Sequence, residues 1–227
     1  MTRMDSSPES PARPLVSRLV QPRVIGTVVA IGVIVAAAMS TNVVRDEDAV
    51  EEDFFSAAEF ASEHYDDIIE PGINDNAVDL VELLEAIEAD EQNAKDTYGN
   101  SSNPNNAYSY PVTLTGVAGE PTESEIPLTV EGVSSDITVS VQLSQFRGSA
   151  LRDVTGSVDL NSFLNQVEYL NVSLALNEAA RSNVITPFLA DNPPASLEGT
   201  TLTITGAFLK DSSTSVEIVP IAMEVQE

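Results

Sequence analysis

With 36 acidic side chains against 10 basic ones, this 227-residue chain carries a formal net charge of -26. That charge repels nucleic acid and anionic lipid, so neither is expected as a partner. The absence of cysteine excludes a disulfide framework, a thiolate nucleophile, a Cys-ligated zinc and a thioether-linked lipid.

Lysine occurs only at Lys95 and Lys210, and tryptophan is absent. The core must therefore be built from Val, Leu, Ile and Phe. An acid-rich, lysine-poor balance suits concentrated salt, where the screening length shrinks to about 3 Å at 1 M and self-repulsion largely vanishes. A halophilic protein is the expectation; an acidic partner-binding face is the competing reading.

Residues 1–23 are polar, with four prolines and the arginines Arg3, Arg13, Arg18 and Arg23. This composition predicts a disordered tail. Residues 24–44, Val24 to Val44, carry no charge and are mainly Val, Ile, Ala and Gly. As a helix they would span about 31 Å, close to the roughly 30 Å hydrocarbon thickness of a bilayer. Arginines precede this run, and Asp46-Glu47-Asp48 follows Arg45. The positive-inside rule then places the N-terminus in the cytoplasm and the remainder outside, giving a single-pass signal anchor. A cleaved signal peptide is the competitor, with Ala36-Ala37-Ala38 offering small residues to a peptidase. The length of the apolar run and the lack of a twin-arginine pair favour the uncleaved anchor.

Residues 45–98 read as an acidic helical segment. Phe54, Ala57, Ala58, Ala61, Tyr65 and Ile68 recur at helical spacing, and Pro71-Gly72 should break that helix. Asn76 with Asp79 should cap a second helix carrying Leu80, Leu84 and Ile87, flanked by Val81 and Leu83. The helices should pack on each other or on the domain C-terminal to them. His64 is the sole histidine and has no second histidine for a metal pair or triad, so neither a metal nor a cofactor is expected. Asn74-Asp75-Asn76 lacks the glycine and glutamate of a calcium loop.

Residues 99–109 form a Ser/Asn/Pro linker, and composition changes after it. Val112 and Leu114, then Ile126, Leu128 and Val130, then Ile137, Val139, Val141 and Leu143 alternate with polar residues. Leu202, Ile204 and Phe208 do the same, with Gly206 where a bulge or tight bend would fit, and Val216 to Val225 form the last run. Period-two alternation marks half-buried antiparallel strands. A helix over 160–181 is predicted from Phe163, Val167, Leu170 and Leu174, with Tyr169, Val172 and Leu176 widening its face; Pro187, Pro193 and Pro194 should end it. The fold class is α+β. Residues 110–227 should form a small antiparallel β-barrel, since five strands with one helix after the third is the order of an OB-type barrel. A sandwich with a crossing helix is the alternative.

The candidate site lies where the best strand turns into this helix. Arg147 and Arg152 stand five apart, Asp153 follows, and Asn165 and Gln166 open the helix. Gly148 could supply a positive φ. Arginine grips carboxylates or carbonyls bidentately, and the amides both donate and accept. The groups can pair internally, Arg147 or Arg152 with Asp153 or Asp159, or they can line a polar pocket or docking surface. Two sequons, at Asn100 and Asn171, could accept glycan. Asn100, in the linker, is the better candidate, because Asn171 falls in a helix that should be packed.

Arg147-Gly148-Ser149-Ala150-Leu151-Arg152-Asp153, Phe163-Leu164-Asn165-Gln166-Val167-Glu168-Tyr169 and Leu176-Asn177 resemble a family of predicted periplasmic lipoproteins of unknown function, DUF2291. Tyr98-Gly99, Gly206-Ala207-Phe208 and Ile218-Val219-Pro220-Ile221 extend the resemblance. It implies an outward-facing, membrane-tethered accessory protein beside a ribose-type simple-sugar ABC transporter, with the permease or the sugar-binding protein as partner. It implies no catalytic residues. A lipidated cysteine would anchor a bacterial member; here residues 24–44 would replace it. A sugar-binding module using the Arg147–Gln166 region is the second reading. Hydrolysis is not expected, because among so many surface acids a carboxylate pair chosen from sequence carries no weight.

Overall fold

A computed structural model of the protein describes residues 55–103, 107–144, 146 and 148–226. The expected tail, the expected membrane span at 24–44 and Arg147 lie outside the described residues. Among the described residues, no helix is long and apolar enough to cross a membrane.

Helix α1 (Ala57–His64) starts at Ser56, whose hydroxyl accepts from the Glu59 N–H. It runs through a π-helical turn, Tyr65–Ile69, into α2 (Glu70–Asn76). Pro71 and Gly72 therefore lie inside helical structure and do not end it. The π turn explains this. Its bonds span five residues, as from the Glu70 N–H to the Tyr65 carbonyl, and the wider turn gives the proline ring room. Strand β1 (Val78–Asp79) leads into α3 (Leu80–Ala89), where Asp79 caps the Val81 and Glu82 N–H groups as expected. Asn76 does not join that cap; its amide donates to Gly72 O. Helix α4 (Glu91–Tyr98) follows.

Five strands then close into a barrel: β2 (Tyr108–Ala118), β3 (Glu125–Thr129), β4 (Thr138–Gln142), β5 (Thr201–Lys210) and β6 (Ser215–Val225). Their order is β2-β3-β4-β6-β5, and β5 pairs back onto β2, from Tyr108 opposite Lys210 to Val117 opposite Thr201. The barrel excludes the sandwich. Its pairing is antiparallel except at β4–β6, which runs parallel from Thr138 opposite Ser215 to Val141 opposite Ile218. The long insert after β4 returns the chain through β5, so β6 arrives in the same direction as β4. Gly206 sits at a register shift between β5 and β6, and a Cβ there would lie 2.3 Å from the Val219 carbonyl oxygen. The bulge expected there is present, and only glycine admits the approach.

Two cores result. The first fills the barrel with Val112, Leu114, Ile126, Val141, Ile204 and Ile218, and Leu80 and Leu83 from α3 join it. The Tyr110 and Phe208 rings stack within it, 5.6 Å apart. The second core lies outside the barrel wall. Ala207, Val219 and Ile221 of β5 and β6 meet Tyr65, Ile69, Ile73, Leu151, Val172 and Leu176. The acidic helices thus pack onto the barrel domain.

The insert contains α5 (Ala150–Asp153), α6 (Gln166–Ala180), a second π turn (Arg181–Ile185) and α7 (Thr186–Asp191). The helix expected over 160–181 therefore begins later, after a 3-10 turn at Leu160–Ser162, and continues past Pro187 to Asp191. The same device operates twice. Thr186 donates to the Arg181 carbonyl across five residues, and Pro187 follows at the same place in its helix as Pro71 does in α2.

Candidate functional site

The turn after β4 is held by backbone geometry first. Gly148 has φ of +79°, a conformation that L side chains rarely adopt. Ser109 of β2 donates from its hydroxyl to the Ala150 carbonyl at 2.8 Å, fixing the first turn of α5 to the barrel wall.

On that turn Arg152 and Asp153 are both buried, at 7% and 5% exposure. Isolated, either charge would be heavily destabilising at such depth. They neutralise each other across neighbouring positions: Arg152 Nε donates to Asp153 Oδ1 at 2.7 Å and Nη2 donates to Oδ2 at 3.0 Å. Two hydroxyls complete the carboxylate. Ser149 Oγ donates to Oδ2 at 2.6 Å and Tyr169 Oη donates to Oδ1 at 3.2 Å. The guanidinium lies over the Tyr169 ring, 3.7 Å from its centroid, and Nη1 reaches the Tyr169 carbonyl at 3.4 Å. Burial, and then the adjacent Asp153 charge, push the Tyr169 hydroxyl above the usual phenol range, so it stays a donor at neutral pH. The result is a closed network tying α5 to α6.

Asn165 is the N-cap of α6; its Oδ1 accepts from the Val167 and Glu168 N–H groups, each at 3.0 Å. Glu168 answers by accepting from Leu164 N and Asn165 Nδ2, a reciprocal cap. Gln166 is exposed on the first turn. The structure therefore joins Arg152 and Asp153 directly and assigns Asn165 to the helix start. Asp159 takes no part in the pair; it caps the 3-10 turn through Asn161 N.

Ser149, Tyr169 and Asn177, and the buried Ser173 of α6, were not singled out as site residues from sequence. Asn177 Nδ2 donates to the carbonyls of Phe146 and Gly148 at 3.4 and 3.3 Å, so α6 grips both neighbours of Arg147. Asn177 Oδ1 and Ser173 Oγ are buried without a partner among the described residues. The signal for them was a polar residue one helical turn from another on the side of α6 that carries Val172 and Leu176.

The sequons reverse in accessibility. Asn100 is half-buried and its Nδ2 donates to the Val154 carbonyl at 2.7 Å, whereas Asn171 is exposed. Beside the network lies a depression of only about 160 Å³, into which Asp153 opens. A larger polar cleft of about 630 Å³, lined by Asn76, Asp96, Asn100, Thr155 and Ser157 among others, contains neither Arg152 nor Asp153. Among the described residues, no group of three or more His, Asp or Glu is placed to hold a metal ion.

The solved structures include a similar fold. A crystal structure of an OB-fold protein from Thermotoga maritima superposes with a TM-score of 0.63 at 20% sequence identity, covering 76% of this chain and 99% of that one. At that identity the likeness shows the fold alone. No curated protein is matched by the sequence. A family model described as a predicted periplasmic lipoprotein matches residues 29–224, most of the chain. The length of that match places the chain: it belongs to the DUF2291 family of predicted periplasmic lipoproteins.

Proposed function

We propose that this protein is a membrane-anchored, outward-facing accessory protein without catalysis of its own, working beside a simple-sugar ABC transport system. One observation carries the reading. The groups with chemical potential at the turn, Arg152, Asp153 and Tyr169, are engaged with one another and with Ser149, which makes the turn a structural joint. The family's predicted periplasmic location supports an extracytoplasmic domain. Val24 to Val44 supplies the anchor in this reading, with the N-terminus in the cytoplasm, and the transporter association follows from the family resemblance.

The test is co-purification of the full chain from native membranes in high salt. Recovery of a simple-sugar permease or its binding protein is expected, and repeated absence of both overturns the transporter association. A thermal-shift series of the full chain against simple sugars addresses ligand binding at the Arg147–Gln166 turn. The bonds already made by Arg152 and Asn165 lead us to expect no rise in Tm.

A further inference from the structure

Helix α6 is apolar on both sides, and only one side is covered. Tyr169, Val172, Leu176 and Ala180 are buried against the second core. On the opposite side Val167, Leu170 and Leu174 are 65%, 58% and 58% exposed, and Leu164, just before the helix, is 92% exposed. These four positions fall at i, i+3, i+6 and i+10, a stripe of about 15 Å at 1.5 Å per residue. A residue preceding an N-cap commonly folds back onto the fourth helical residue, here Tyr169. Leu164 does not, and stays in solvent.

The stripe has an aromatic end. Phe55, itself 36% exposed, packs edge-on against Phe163 at 5.2 Å, and Phe60 approaches Phe163 at 5.6 Å. Phe163 in turn leans on Tyr169 at 5.5 Å, so the aromatic end is braced by the Arg152–Asp153 network. A row of exposed aliphatic side chains on a helix whose start is braced by an aromatic cluster has the make-up of a contact surface.

Charge selects the occupant. The helix carries Glu168, and its second acid, Glu178, is neutralised by an ion pair with Arg181. The chain as a whole has a net charge of -26. At low ionic strength a second copy would set acid against acid, and an anionic bilayer would be repelled. We infer that the outward face of α6, Leu164–Val167–Leu170–Leu174, docks an apolar helix of a protein partner that is flanked by lysine or arginine. A stripe of this size falls among weak, reversible contacts. The inference goes beyond the accessory reading by naming a surface, and it does not require that the partner belong to a transporter.

The experiment uses the full chain in detergent and a synthetic helical peptide with one leucine face flanked by lysines. The controls are the same peptide flanked by glutamates and the lysine peptide with its leucines replaced by serine. Binding of the leucine–lysine peptide is expected, with both controls at least about tenfold weaker. Leu170→Asn/Leu174→Asn should weaken it about tenfold or more while leaving Tm unchanged, since both side chains are more than half exposed. Equal binding of the serine peptide, or no loss in the variant, would reduce the effect to bulk charge and overturn the proposal. So would self-association or vesicle binding that the same variant abolishes, because the face would then belong to a second copy or to lipid. None of these outcomes bears on whether a permease co-purifies.

Discussion

The two sides of α6 invert the usual distribution of residue types. Toward the barrel, the helix helps enclose a charged pair, two hydroxyls and an amide in a largely buried place. Toward solvent, it displays a row of aliphatic side chains. The inner side shows how a turn rich in functional groups can be devoted to structure. The outer side shows where a surface remains uncovered. Chemical reactivity of residue types would have directed attention to the first; exposure directs it to the second.

The sharpest way to break this contrast is to remove the carboxylate. Asp153→Ala strands the buried Arg152 guanidinium and should lower stability by about 3–5 kcal/mol, read by denaturant unfolding at fixed salt. Replacing both partners with apolar residues, Arg152→Met with Asp153→Leu, should be far milder than the two single losses summed. A loss below about 1 kcal/mol for the single variant would mean that the network is not a structural joint.

Two leucines two residues apart then test the faces directly. Leu176→Ala, on the buried side, should remove about 2–5 kcal/mol, whereas Leu174→Ala should stay within about 0.5 kcal/mol. Similar losses at both would show that the outer face is covered.

The barrel interior supplies a pH test. Burial pushes the Tyr110 hydroxyl up to about 12, while in the unfolded chain it ionises near about 10. The raised value means that its contribution is fully present below about pH 10 and is lost as pH rises toward 12. Unfolding monitored by tyrosinate absorbance should follow that window, and Tyr110→Phe should reduce its slope without abolishing it, because burial also raises the Tyr65 and Tyr169 hydroxyls. Asn165→Ala, which removes the cap of α6, should lower stability by about 1 kcal/mol, less than the buried-side substitutions.

The strands were legible because residues such as Ile137, Val139, Val141 and Leu143 alternate without interruption, and the helical insert after the third strand suggested the barrel order while leaving a sandwich open. The orientation of α6 was not legible. Val167, Leu170 and Leu174 satisfy helical periodicity as well as Val172, Leu176 and Ala180 do, and a helix apolar on both sides gives no moment by which to choose. Two polar residues, Ser173 and Asn177, also lie on the buried side, so composition argued for the wrong face. The prolines misled for a related reason. Pro71 and Pro187 break an α-helix but are accommodated after a π turn, and nothing in local propensity announces that turn. The pairing of Arg152 with Asp153 was among the sequence alternatives; its depth, and the two hydroxyls that complete it, depend on α6 folding back to bring Tyr169 beside Ser149.

The long β2–β5 ladder also dictates a schedule. The residues it joins lie 84 to 102 positions apart, from Val117 opposite Thr201 to Tyr108 opposite Lys210, so β2 has its full partner only once residues 201–210 are available. Until then its hydrogen-bonding edge and the apolar interior stay open. Contacts of such long range slow folding because loop-closure entropy precedes the reward. For a member of a predicted periplasmic family, the consequence is that the chain stays open, and so threadable, until β5 and β6 arrive.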